Sequence, residues 1–188
     1  MAQSKILLDS NSYFRLAKSI HPLLFRPFGD DDACLYVTKE LDDEFNRSPR
    51  LQAKFPWVDE PEFRDNRSQG LKLSKRQRNM ELPTANEFLR DHAREEGLGV
   101  SRIDVTILAY GYVLGIPVVT DDGDMCALAG DFGIRILSTL ELLRRMVDAE
   151  HVNMAKIRQI VGFWAYEKDL PRNCAVDYRR LFDESPPA

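Results

Sequence analysis

Apolar and polar positions along this chain follow two periods. Lys5-Ile6-Leu7-Leu8, Ile116-Pro117-Val118-Val119-Thr120 and Gly133-Ile134-Arg135-Ile136-Leu137 are short apolar runs of the kind that buried parallel strands show. Leu35-Tyr36-Val37 is also apolar, but too short to assign. Elsewhere the apolar residues recur at helical spacing. A helix is predicted from Tyr13 to Ile20, capped by Ser10 or Asn11, and another from Lys39 to Arg47, capped by Thr38, with Leu41 and Phe45 inward. Thr84 with Glu87, Ser101 with Asp104 and Ser138 with Glu141 each mark the start of a further helix. Gly115 and Pro117 end the second of these. Met125–Ala129 reads as one short helix. The order strand, helix, helices, strand, helix, strand, helix predicts an α/β fold with a central parallel sheet.

Two stretches depart from that alternation. Residues 46–82 hold Pro49, Pro56, Pro61 and Gly70 with little periodicity, and they carry Arg64, Arg67, Lys72, Lys75, Arg76 and Arg78. Phe55, Trp57 and Phe63 suit docking of its first half on the core. Its second half reads as a basic arm for phosphates, or as a solvated loop. From His151 onward, Met154, Ile157, Val161 and Trp164 define a terminal helix, broken at Asp169–Asn173 and followed by Tyr178, Leu181 and Phe182. The expected organisation is one α/β domain over residues 1–150, containing an insert and helix at 46–97, plus a helical extension at 151–188.

Composition narrows the classes. A chain of 188 residues with 44% hydrophobic content suits one elaborated domain. It has neither an apolar run long enough for a membrane span nor a signal-peptide pattern at its start. Its three cysteines, Cys34, Cys126 and Cys174, and its three histidines lack zinc spacing, so a cytoplasmic protein with reduced thiols is expected. A net charge of −4 argues against nucleic-acid binding over the whole surface but allows a local basic patch.

The acids carry the chemistry. Asp9 follows the first strand, where taken alone it reads first as a helix-cap or turn residue. Asp121, Asp122 and Asp124 follow a later strand, and Asp104 opens a helix. Acids packed so closely repel each other unless something positive sits among them, and a divalent cation is the obvious candidate. Glu40 and Glu44, four residues apart, share one face of the early helix.

Four blocks, ILLDSN (Ile6 to Asn11), YVTKELDDEF (Tyr36 to Phe45), SRIDVTILAYG (Ser101 to Gly111) and IPVVTDDGDM with GIRILSTLELL (Ile116 to Leu143), resemble those of PIN-domain nucleases, the virulence-associated protein C type of toxin ribonuclease among them. The resemblance implies a three-layer α/β/α fold and hydrolysis of single-stranded RNA with Mg²⁺ or Mn²⁺. It implies Asp9, Asp104, Asp122 and Asp124 as cation-site acids, with Glu44, which precedes Phe45, preferred over Glu40. Ser10 and Thr120 would orient the carboxylates. It also implies a small antitoxin partner and a homodimer. Such toxins are shorter than this chain, so a PIN-type nuclease for RNA processing or DNA without an antitoxin, or a nucleic-acid binder that does not cut, stands as the alternative. A phosphoaspartate protein of the haloacid-dehalogenase type is disfavoured, because it needs a second Asp where Asn11 stands.

Overall fold

Alternate residues of the first strand feed two different cores. In a computed structural model, which describes residues 3–187, β1 (Lys5–Leu8) runs down the middle of a four-stranded sheet. Ile6 and Leu8 pack into one apolar cluster and Leu7 into the other, and all three are buried. β1 pairs in parallel with β2 (Cys34–Tyr36) on one side and β3 (Val118–Val119) on the other. β4 (Ile136–Leu137) completes the order β2-β1-β3-β4. Strand residues point alternately to opposite faces, so a central strand of this kind needs cover on both. α1 (Ser10–Leu16), α2 (Glu40–Arg47), α8 (Thr139–Asp148), α9 (Met154–Tyr166) and α10 (Cys174–Phe182) build the core that takes Ile6 and Leu8. α5 (Leu82–Glu95), α6 (Arg102–Leu114) and α7 (Gly123–Asp131) build the other. The fold is therefore α/β, a parallel sheet flanked by helices, as the pattern predicts.

The chain leaves β1 for β2 at one edge, then recrosses to β3 on the far side of β1. The carboxyl ends of β1 and β3 thus form the point where strand order reverses, and open α/β sheets bind ligands there. Asp9 directly follows β1, and Asp121 and Asp122 follow β3.

Several elements differ from the sequence reading. Leu35 and Tyr36 of the Leu35-Tyr36-Val37 run belong to a fourth strand, Cys34–Tyr36, placed by its pairing with β1. Asp9 takes the helix-cap role its position also allowed, in place of Ser10 or Asn11: it accepts from the Ser12 amide at 2.6 Å, which starts α1 three residues earlier than Tyr13. α2 opens at Glu40 without a side-chain cap, and the Thr38 hydroxyl is buried with no hydrogen-bond partner.

Residues 46–82 are largely helical: α3 (Pro49–Lys54), a 3₁₀ turn (Pro56–Asp59), α4 (Pro61–Arg67) and a π turn (Gln77–Glu81) leading into α5. Three prolines open helices here instead of breaking them, since a first-turn position needs no N–H. The helix expected from Thr84 begins a full π turn earlier. Ser74 and Gln77 exchange hydrogen bonds as its capping pair, and the wider turn accommodates Pro83 inside the run.

Arg67 is not part of any phosphate arm. Its side chain is 3% exposed, pairs with Asp42 at 2.9 Å, and donates to the Tyr13 hydroxyl and the Val58 carbonyl at 3.0 Å each. The C-terminal helices share the α1 core: Trp164 and Tyr178 are buried, and the Trp164 indole donates to the Arg15 carbonyl at 3.1 Å. No helix among the described residues is long and apolar enough to cross a membrane.

Candidate active site

The reversal point of the sheet brings Asp9, Asp121 and Asp122 into one neighbourhood around Cys126, and among the described residues does not bring Asp104, Asp124 or Glu44 into a shared cluster with them. Asp9 is only 2% exposed. It accepts from the Ser12 amide, and the Thr120 hydroxyl also lies within its hydrogen-bonding reach. Burial pushes its pKa up to about 6, against those hydrogen bonds, and the nearby charge of Asp121 adds to the rise. The carboxylate is thus held at the end of a central strand, and among the described residues no cationic side chain pairs with it.

Asp121 emerges as the hub that the sequence does not single out. It accepts from Arg15 at 2.8 Å, from the Thr139 amide at 2.9 Å and from the Thr139 hydroxyl. It thereby joins α1, the β3 loop and the start of α8. Its neighbour Asp122 caps α7 by accepting from the Met125 amide at 2.8 Å, while its own amide donates to Thr120 at 3.1 Å. The Thr120 hydroxyl thus anchors the backbone of this turn. Asp104 exchanges hydrogen bonds with Ser101 in the predicted capping box at the start of α6. Asp124 accepts from the Gly99 amide at 2.8 Å, which ties α7 to the loop before α6. A side chain on residue 99 would collide with that carboxylate, since its β-carbon would stand 2.8 Å from Oδ2.

The early helix distinguishes its two glutamates. Glu40 turns inward: its Oε2 is buried without a hydrogen-bond partner. Burial first, and then the charge of Glu40, hold the Tyr110 phenol above its ordinary range, while Arg78 from the π turn acts in the opposite sense. Glu40, Tyr110 and Arg78 are therefore neighbours. Glu44 is half-buried one turn further on. Cys126 on α7 senses the acids together: burial raises its thiol, and Asp121, Asp122, Asp9 and Glu141 all add to the rise.

Ser10 Oγ and Thr38 Oγ1 join Glu40 Oε2 as buried oxygens without partners. Buried polar atoms are normally satisfied, so three such oxygens on the segments that leave β1 and β2 invite an outside ligand. Among the described residues, no three His, Cys, Asp or Glu side chains converge closely enough to form a ready cation cage. Asp104 and Asp122 each commit one carboxylate oxygen to a helix cap and keep the other free of a protein partner. The Cys126 thiol stands near these acids, but its raised pKa keeps it protonated and a poor ligand, so the donors are carboxylates and hydroxyls, which fit a hard cation such as Mg²⁺. The sequence places Asp121 among the acids after β3 and Thr38 at a helix start, but not the hub role of the one or the buried, unpaired hydroxyl of the other, because both depend on contacts across the fold.

No family model and no curated protein matches the chain. Among solved structures it is similar to FitAcB from Neisseria gonorrhoeae, at 13% identity over 72% of this chain and 98% of that one, with a TM-score of 0.47. It is also similar to VapBC-5 from Mycobacterium tuberculosis, a member of the VapBC family of toxin-antitoxin systems, at 21% identity over 72% and 98% of the two chains, with a TM-score of 0.45.

Proposed function

We propose that this protein is a divalent-cation-dependent nuclease that hydrolyses phosphodiester bonds of single-stranded RNA. One observation carries the reading: a carboxylate buried at the end of the central strand, Asp9, with the charge of Asp121 near it and the unpartnered Ser10 hydroxyl next in the chain, at the point where the sheet reverses. Asp9, Glu40, Asp104 and Asp122 would hold the cation, with Glu40 replacing Glu44 because its carboxylate is the one turned inward. When bound, a divalent cation neutralises charge on a phosphate, which carboxylates alone repel.

The residues of the chain do the positioning. The Ser12 amide and Thr120 fix Asp9, and the caps of α6 and α7 fix Asp104 and Asp122. Ser10 and Thr38 hold buried hydroxyls without protein partners among the described residues, on the segments that leave β1 and β2. Asp124 braces α7 against the loop before α6 and is not assigned to the cation. The narrower reading, a toxin neutralised by a small antitoxin, rests on the block resemblance in the sequence, as does a homodimer.

Purified protein should cut single-stranded RNA with Mg²⁺ or Mn²⁺ and stop when a chelator is added. Cleavage that persists in chelator would remove the basis of the proposal.

A further inference from the structure

The C-terminal extension reaches back to the acidic end of the sheet. Asp169, in the break after α9, accepts from Arg15 at 3.3 Å, and Arg15 holds Asp121 at 2.8 Å. This relay brings the loop from Asp169 to Asn173 against the turn after β3. Pro171 is buried there, and Asn173 turns the chain into α10 with a left-handed backbone, φ 60°. Arg172, between them, is exposed. It lines a cleft of about 240 Å³ together with Thr120, Asp121 and Cys126. Its Nη1 lies 3.4 Å from where a β-carbon on Gly123 would stand, so the guanidinium occupies space that a larger residue at the start of α7 would take.

Arg172 is surrounded by acids and pairs with none. Among the described residues its side chain makes no ion pair or hydrogen bond, although Asp121, Glu141 and Asp177 line the same cleft. Those three acids are committed elsewhere: Asp121 to Arg15 and Thr139, and Glu141 and Asp177 to Arg180. A cation kept free beside a set of carboxylates can meet an anion that those carboxylates would otherwise repel. The guanidinium fork suits phosphate oxygens, to which it donates two parallel hydrogen bonds.

We infer that Arg172 contacts a backbone phosphate of the bound strand at the edge of the acidic site, so that the extension completes the substrate surface. This inference rests on the nuclease reading for the identity of its ligand, but it can be read from binding alone.

The test uses the full chain and a short labelled single-stranded RNA, with anisotropy measured across a salt series in chelator so that no cleavage intervenes. Arg172→Ala should weaken binding about tenfold and reduce the log–log salt slope by about 0.7, one single-strand phosphate contact. Arg172→Lys should recover part of both. Arg179→Ala, an exposed charge on α10 outside the cleft, should bind as wild type. With Mg²⁺ present, Arg172→Ala should raise KM more than it lowers kcat.

Unchanged binding by Arg172→Ala, equal losses in Arg172→Ala and Arg179→Ala, or no binding by the wild type would each overturn the inference. A wild type that binds through Arg172 but cuts nothing under any cation would refute the nuclease reading and leave this contact standing. A wild type that cuts while Arg172→Ala binds and cuts equally well would do the reverse.

Discussion

Asp9→Asn should stabilise the protein while disabling it. Burial raises the Asp9 pKa from 3.8 to about 6, so ionising this carboxylate costs more in the folded chain than in the unfolded one. At 1.36 kcal/mol per pH unit, the difference is about 3 kcal/mol. The sign follows from proton binding. The folded state holds this proton more tightly, so the contribution is fully present below pH 3.8 and is lost as pH rises through about 6. At pH 8 without cations the wild type therefore carries an ionised, buried carboxylate whose hydrogen bonds only partly offset its burial. Asparagine keeps an oxygen that can accept from the Ser12 amide, and it caps helices as well as aspartate does. It carries no charge to desolvate.

Chelator-treated Asp9→Asn should thus exceed the wild type at pH 8 by about 1–3 kcal/mol, or several degrees in Tm for a domain of this size. The two should converge as pH falls below 4, where the wild-type carboxyl is neutral in both states. Urea unfolding at pH 4 and pH 8 measures this directly. Added Mg²⁺ should stabilise the wild type at pH 8 and leave Asp9→Asn unmoved. If Asp9→Asn were equal to or weaker than the wild type at pH 8 in chelator, the argument that Asp9 is held at a cost for a ligand would fail.

Other expectations concern neighbouring residues. Glu40→Gln should cut cleavage at least about a hundredfold with folding intact, because it removes a charged ligand, whereas Glu44→Gln should cut at close to the wild-type rate; steady-state kinetics of the pair decide between them. Arg67→Ala should destabilise by about 2–3 kcal/mol, since it strips partners from the buried Tyr13 hydroxyl and the Val58 carbonyl, and chemical denaturation should show it. Its RNA-binding salt slope should equal that of the wild type. Trp164→Ala should cost about 3–5 kcal/mol, because the indole fills the core shared by α1 and α9; a near-neutral thermal shift would show that the extension is dispensable to the fold.

What the sequence revealed was what short-range chemistry decides. The Ser101–Asp104 and Ser138–Glu141 boxes are self-contained over four residues, and both are present. Gly115 closes α6 in the left-handed region, φ 63°, as a residue without a β-carbon readily does. The apolar runs at Lys5 and Ile116 fixed two central strands, and through them the positions of Asp9 and Asp122.

What remained hidden depends on distant partners. Cys34–Tyr36 is a strand because β1 offers it an edge, and three residues carry too little period to announce that. Arg67 looks like its basic neighbours in sequence, and only the packing of α4 buries it. Thr38 resembles a cap, yet its hydroxyl is buried without a partner among the described residues, and Glu40 is set apart from Glu44 by a buried carboxylate oxygen near Tyr110 of α6. Arg172 reaches the acidic turn through Asp169, Arg15 and Asp121, residues scattered over most of the chain.

The central claim is that a cation belongs at the end of β1 and β3. Calorimetric titration of Mn²⁺ into chelator-stripped protein tests it without requiring a known substrate. Wild-type protein should bind Mn²⁺ with affinity that rises from pH 5 to pH 8 as Asp9 gives up its proton, and Asp9→Asn and Glu40→Gln should each lose most of that heat. Equal Mn²⁺ binding by wild type and both variants, or no binding at pH 8 by a folded wild type, would contradict the account.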